Sequence, residues 1–251
     1  MWIAALLVFA FLWFTGRSDL NFRNAGKIVL AGVLIAAHWI SFFHSIKISA
    51  VSVTLATVST GAFFGSILEP IFYGRRFNIK ELLLGLMVIL GLYLIFRFEG
   101  DYTAGILVAL LSAFLSATFQ VVNGKLVKTH SPYRITFLEM FGGWLAISVY
   151  LLLSGQMSMD LLALQGLDWL WLVILGSVCT AYAFIESVAV MRKISPFTFL
   201  LSINLEPVYG ILLALLIFGD DERMNPWFYL GAAIILSSLF LDVYFRRRLR
   251  K

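Results

Sequence analysis

The chain has 251 residues, of which 61% are hydrophobic and only 13% charged. Soluble domains carry about 25% charged residues, and a chain of this length has no interior large enough to hide so much apolar surface, so its solvent is lipid. That excludes a soluble enzyme, a nucleic-acid-binding module and a disulfide-stapled secreted domain, and it makes the formal charge of +5 a record of membrane orientation.

A membrane-crossing helix needs about 20 mostly apolar residues. In chain order the candidates are a short run from Trp2 to Phe14, then 27–46, 48–72, 81–98, 102–122, 135–153, 169–190, 196–218 and 227–245. The connecting segments are short and no low-complexity linker divides them. The expected fold is therefore all-α, a polytopic membrane bundle of nine helices. Cys179 is the single cysteine, so neither an intramolecular disulfide nor a cysteine metal cluster is available. His38, His44 and His130 are too scattered for a metal centre, and no phosphate-binding glycine loop suggests direct coupling to ATP.

Basic residues collect in cytoplasmic loops. Of the 19 Lys and Arg, all but Lys47, Arg97 and Arg223 fall in alternating loops or in the Arg246–Lys251 tail. Nine helices with the C-terminus in the cytoplasm satisfy this pattern, and one helix more or fewer would scramble it.

Sliding the chain on itself by 146 residues aligns its halves. Lys47-Ile48-Ser49 meets Lys193-Ile194-Ser195, Leu55 meets Leu201, Phe72 meets Phe218 and Gly85 meets Gly231. Lys47 is expected outside and Lys193 inside, so the two copies are inverted. Residues 1–100 form a first repeat of four helices, and 101–251 a second of five helices plus the basic tail. On the pattern of the second, the first copy is expected to lack one helix, equivalent to about 35–40 residues ahead of Met1.

The five-plus-five inverted plan, the Lys-Ile-Ser steps and the stretch INLEPVYGILLALLIFGD from Ile203 resemble EamA-type transporters of the drug/metabolite superfamily. The resemblance covers essentially the whole chain and departs from the family only in the missing first helix. It implies a central cavity between the halves and a secondary transporter in the cell membrane, the inner membrane of a bacterium. The implied cargo is a small polar or amphipathic metabolite, such as an amino acid or drug-like compound, moved by alternating access. Partners are then the substrate, the lipid bilayer and protons as the coupling ion, with no nucleic acid and no cofactor.

Glu206 is the eleventh residue from Pro196, which puts it about 15 Å into a core about 30 Å thick. Acids at that depth are costly and usually face a cavity or partner, although a protonated Glu bridging two helices is the plainer reading. Ser202 and Tyr209 extend its polar face at i−4 and i+3. Pro207 withholds a hydrogen bond from the Ile203 carbonyl. Thr60 is the counterpart of Glu206 in the 146-residue register, whereas Gly61 and Gly65 are better explained by close helix packing.

His38 also sits near mid-depth, where it can exchange a proton or be satisfied by one interhelical bond. Trp39, Trp144 and Tyr182 at middle depth are candidate cavity walls, with lipid-facing packing as the alternative. Gln120 and Asn123 form a polar inner end on a helix that borders the pathway in the family. Glu69, Glu139 and Glu186 are expected at the membrane interface, with the lining of an inner vestibule as the alternative for Glu139 and Glu186. Two other readings stay open, an intramembrane enzyme with Glu206 and His38 as acid and base, and a truncated membrane protein that does not transport.

Overall fold

The computed structural model describes residues 1–16, 25–98, 102–157, 163–219 and 224–249, and every regular element among them is helical. The helices are α1 (Trp2–Phe14), α2 (Ala25–Ile48), α3 (Val51–Val58), α4 (Gly61–Tyr73), α5 (Ile79–Phe98), α6 (Thr103–Leu126), α7 (Pro132–Leu153), α8 (Gly166–Ile174), α9 (Ala183–Val190), α10 (Pro196–Ile203), α11 (Glu206–Phe218) and α12 (Pro226–Leu249). A π-helical stretch, Leu175–Tyr182, joins α8 to α9. Counted as rods these are the nine predicted runs. Five of them, Ala25–Ile48, Val51–Tyr73, Thr103–Leu126, Pro132–Leu153 and Gly166–Val190, have both the length and the hydropathy to cross a membrane.

Helix starts follow local capping chemistry. Ser131 and Ser195 precede Pro132 and Pro196, whose missing N–H costs nothing in a first turn. The Asn225 side chain accepts from the N–H groups of Trp227 and Phe228 at 2.9 and 3.1 Å. Gly74 ends α4 in the left-handed region at φ 64°, which suits a residue without Cβ.

Two of the predicted rods are broken at matching places. Residues 59–60 separate α3 from α4, and residues 204–205 separate α10 from α11. The flanking segments have the same lengths in both copies, 8 and 13 residues. Val51 therefore corresponds to Pro196, and Gly61 to Glu206, one residue out of the register set by the Lys-Ile-Ser steps. The cause is the cap. Ser195 itself caps α10, its hydroxyl accepting from Thr198 N–H at 3.2 Å. In the first copy the cap is Ala50, one residue beyond Ser49. The structural counterpart of Thr60 is thus Leu205 rather than Glu206.

The chain forms two compact units, each drawing on both sequence halves. One comprises Met1–Ala36 with Val122–Ile194, and the other Ala37–Val121 with Ser195–Lys251. In the first unit α7 packs on α1 through Phe137 on Phe9 and Tyr133 on Phe11, with ring centroids 5.5 and 5.1 Å apart. The start of α2 lies so close to α7 that a methyl group on Gly32 would overlap the Glu139 carbonyl.

In the second unit Val53, Val88, Ile95, Ile211, Phe228 and Ile235 build the core. Helices α5 and α12 cross at Gly91 and Gly231, where a Cβ on either would fall 2.5 Å from the other's carbonyl oxygen. With no hydrophobic force between helices in lipid, such backbone contact is what holds them.

Candidate functional site

Glu206 opens α11, directly after the break, and its side chain is exposed. Ser202 on the last turn of α10 and Tyr209 on the first of α11 are exposed as well. Ser202 Oγ donates to the Thr198 carbonyl at 2.8 Å, and this back-bond fixes its rotamer. The opposite face of α11 is buried through Ile211 and Ala214, and Gly210 leaves room for Leu55 of α3. The rod is thus packed through Ile211 and Ala214, while Ser202, Glu206 and Tyr209 beside the break are exposed, as are Leu212, Leu213, Leu216 and Ile217 further along α11.

His38 lies on α2, half-buried between the rings of Phe42 and Phe119, at centroid distances of 6.2 and 5.6 Å. Its Nδ1 is 2.9 Å from the Ser112 carbonyl oxygen and 2.8 Å from Ser112 Oγ, and that hydroxyl donates to the His38 carbonyl at 3.1 Å. A carbonyl can only accept, so the neutral ring carries its proton on Nδ1 and keeps the Nε2 lone pair for other work. Ser112 is fully buried, which makes this an anchor between α2 and α6. The hydroxyls that follow His38 on α2 are engaged elsewhere. Ser41 donates to Ala37, and Ser45 is shared between Thr54 Oγ1 and the Gly105 carbonyl at 2.8 and 2.9 Å.

Thr60 is fully buried and donates to the Thr57 carbonyl at 2.8 Å, so its hydroxyl is spent on its own turn. Gln120 is buried on α6 and Trp39 is half-buried beside His38. Among the described residues no hydrogen bond joins His38 to Glu206. In the other unit Tyr182 is 63% exposed at the end of the π-helical stretch, a deviation that often marks functional positions. Trp144 is exposed on α7 with its ring 5.7 Å from that of Phe141. None of these candidates lines the cavity of about 510 Å³ at the loop between α6 and α7, whose walls include Lys128, His130, Ser131 and Arg192. No group of three or more His, Cys, Asp or Glu among the described residues is placed to hold a metal.

Two of the acids expected at the interface, Glu69 and Glu139, are enclosed by protein. Glu69 is 4% exposed; its Oε2 accepts from Phe197 N–H in the first turn of α10 at 2.8 Å, and its Oε1 is 3.1 Å from Arg75 Nη2. The same nitrogen is 2.9 Å from Glu81 Oε2, so one guanidinium ties the end of α4 to α5 and to α10. Glu139 is 0% exposed and pairs with Asn123. The sequence shows Arg75 six residues after Glu69 and the polar Asn123 near the end of its run, but not the contact of Glu69 with α10 or the pairing of Asn123 with Glu139. The nearest signal was the acid of each pair, inside the end of an apolar run.

The family model for EamA-like transporters matches residues 1–97 and 103–244. The chain belongs to the EamA-like transporter family. An Archaeoglobus fulgidus protein named only as an uncharacterized transporter is 26% identical over 226 residues, 90% of this chain and 77% of that protein. A Pseudomonas aeruginosa protein named as a probable biotin transporter is 29% identical over 241 residues, 91% of this chain and 81% of its own length. A Bacillus subtilis uncharacterized transporter, YdfC, is 28% identical over 187 residues, 71% of this chain but 59% of that protein. A solved crystal structure superposes with a TM-score of 0.68 over 99% of this chain and 86% of the other at 16% identity, which bears on the fold alone. As an EamA-like protein the chain is a multi-pass membrane transporter of a small molecule. Membership decides against the intramembrane enzyme.

Proposed function

We propose that this EamA-like transporter is a secondary transporter that carries a small polar or amphipathic organic metabolite by alternating access. The cell membrane is its location, the inner membrane of a bacterium, with the basic C-terminal tail in the cytoplasm. The observation that carries the reading is the paired helix break at residues 59–60 and 204–205. Transporter sites are typically built on discontinuous helices of inverted repeats near mid-membrane, because a broken rod frees backbone groups and lets its halves tilt. Glu206, Ser202 and Tyr209, all three exposed, flank the second break. A carboxyl, a hydroxyl and a phenol suit a ligand with both hydrogen-bonding and apolar parts. Glu206 is the proton-coupling group in this reading, taking up and releasing a proton as the site turns from one side to the other. His38, Trp39, Thr60 and Gln120 in the same unit complete the proposed set, and Tyr182 and Trp144 are separate candidates for contact with the substrate in the other unit.

The test is uptake of labelled compounds by proteoliposomes under an imposed pH gradient. Biotin, in view of the Pseudomonas relative, and a panel of amino acids are the first substrates. Saturable, protein-dependent uptake that follows the gradient is expected for at least one compound. Uptake by the protein that persists unchanged when the gradient is collapsed overturns proton coupling. Flux equal to that of protein-free vesicles across the panel overturns the substrate class.

A further inference from the structure

The Glu139–Asn123 pair has one hydrogen bond where its atoms allow two. Both residues are 0% exposed, Glu139 on α7 and Asn123 in the last turn of α6. Asn123 Nδ2 donates to Glu139 Oε2 at 3.3 Å. The other atom of each group, Glu139 Oε1 and Asn123 Oδ1, is buried with no hydrogen-bond partner. In an ionised Glu139 both of these are acceptors, and neither can satisfy the other. The charge would then rest on a single long bond in an apolar interior, which is among the costliest arrangements a fold can hold.

No cation offsets it. The ion pairs of Arg75 with Glu69 and Glu81 lie in the other unit, and Glu139 takes part in neither. The titratable groups on the elements around Glu139 within the same unit are the Met1 amine ahead of α1, Lys27 on α2, Lys125 on α6, Tyr133, Arg134 and Tyr150 on α7, and Glu186 on α9, while His38, His44 and Lys47 lie on the part of α2 in the other unit. None of them forms an ion pair with it. Lys27, Lys125 and Glu186 are exposed. Arg134 stands five residues earlier on α7, about 140° around the helix. On the α2 side the backbone of Gly32 lies against the backbone carbonyl of Glu139.

One proton on Oε1 resolves all of this. It turns the orphaned acceptor of Glu139 into a donor, and the orphaned acceptor of Asn123 is its complement. The two groups then close the reciprocal ring of a carboxylic acid with a carboxamide, with no charge to bury. We propose that Glu139 is a proton-binding site inside the first unit, holding a proton on Oε1 that it donates to Asn123 Oδ1. The proton is the clasp between α7 and the last turn of α6. Its loss sets two acceptors against each other and unfastens the helices. The proposal stands apart from the role given to Glu206, since it concerns a different carboxyl in a different unit.

Infrared spectroscopy of the full chain in lipid nanodiscs at neutral pH tests it. A carbonyl stretch of a hydrogen-bonded, protonated carboxyl should be present in the native protein and missing from Glu139→Gln. Asn123→Leu should retain that band but shift it to the position of a carboxyl lacking its partner. Thermal stability gives a second, independent measure. Glu139→Gln can make both bonds to Asn123 and should melt with the native protein, whereas Glu139→Leu leaves the Asn123 amide unpaired and should melt several degrees lower. Thr136 Oγ1, one turn before Glu139, is also buried without a partner, so a water-bridged carboxylate is the rival arrangement. A native spectrum with only carboxylate bands from Glu139, or a Glu139→Gln variant as unstable as Glu139→Leu, overturns the proposal in favour of that rival.

Discussion

Leu200 of α10 places its Cδ1 2.5 Å from the point where a side chain on Gly65 of α4 would begin, and Leu55 of α3 stands in the same relation to Gly210 of α11. The two contacts exchange roles between the copies: each broken rod supplies a leucine from its first segment and a glycine notch from its second. This reciprocity has the form of a two-fold relation, and it supports the inverted-repeat reading more directly than sequence identity does.

The glycine contacts yield a ranked stability series. Gly65→Ala and Gly210→Ala each push against the end of one leucine and should cost about 1–3 kcal/mol. Gly91→Ala meets the Gly231 backbone carbonyl, and Gly32→Ala that of Glu139, neither of which can turn aside. These two should be the more damaging pair. Melting in detergent checks the order, and equal losses at Gly65 and Gly32 would contradict it. Leu200→Ala placed on Gly65→Ala should recover part of the loss.

The Arg75 bridge makes a different prediction. Removing the cation with Arg75→Ala strands Glu69 and Glu81 as buried acids, and a buried pair broken from one side costs about 3–5 kcal/mol. Arg75 is one-third exposed, so about 2–3 kcal/mol is expected after screening by water. Arg75→Lys should lose less, because it keeps the charge but not two directed bonds. If Arg75→Ala melts with the native protein, the bridge is not a structural tie.

Ser112 should act through His38. Ser112→Ala removes the hydroxyl that holds the ring and the His38 carbonyl, at about 1 kcal/mol for a neutral hydrogen bond. The Ser112 carbonyl remains to orient Nδ1. A small loss of stability with retained uptake is expected. Abolished uptake at unchanged stability would give the hydroxyl itself a place in the pathway.

Glu206→Gln tests the coupling reading. The amide keeps the shape of the acid and some of its hydrogen bonds but cannot release a proton at working pH. Uptake driven by a pH gradient should fall to the level of passive exchange, with substrate binding retained. Full gradient-driven uptake by Glu206→Gln would make the carboxyl structural and turn attention to His38.

The sequence by itself determined the nine rods and the family, for a physical reason. In lipid a helix must satisfy its own backbone, so each apolar run of bilayer length becomes one rod, and the polar and proline residues between runs set its ends. Ser195-Pro196 and Asn225-Pro226 could be seen as helix starts on that basis. What lay beyond the sequence is which side of each rod is buried, since a helix flanked by both lipid and protein is apolar all round and shows no stripe. That is why Glu69 and Glu139 read as interfacial acids while the fold encloses both. The breaks at 59–60 and 204–205 were equally hidden inside continuous hydrophobic runs. Tertiary packing decided them, together with the one-residue change of register that pairs Gly61, not Thr60, with Glu206.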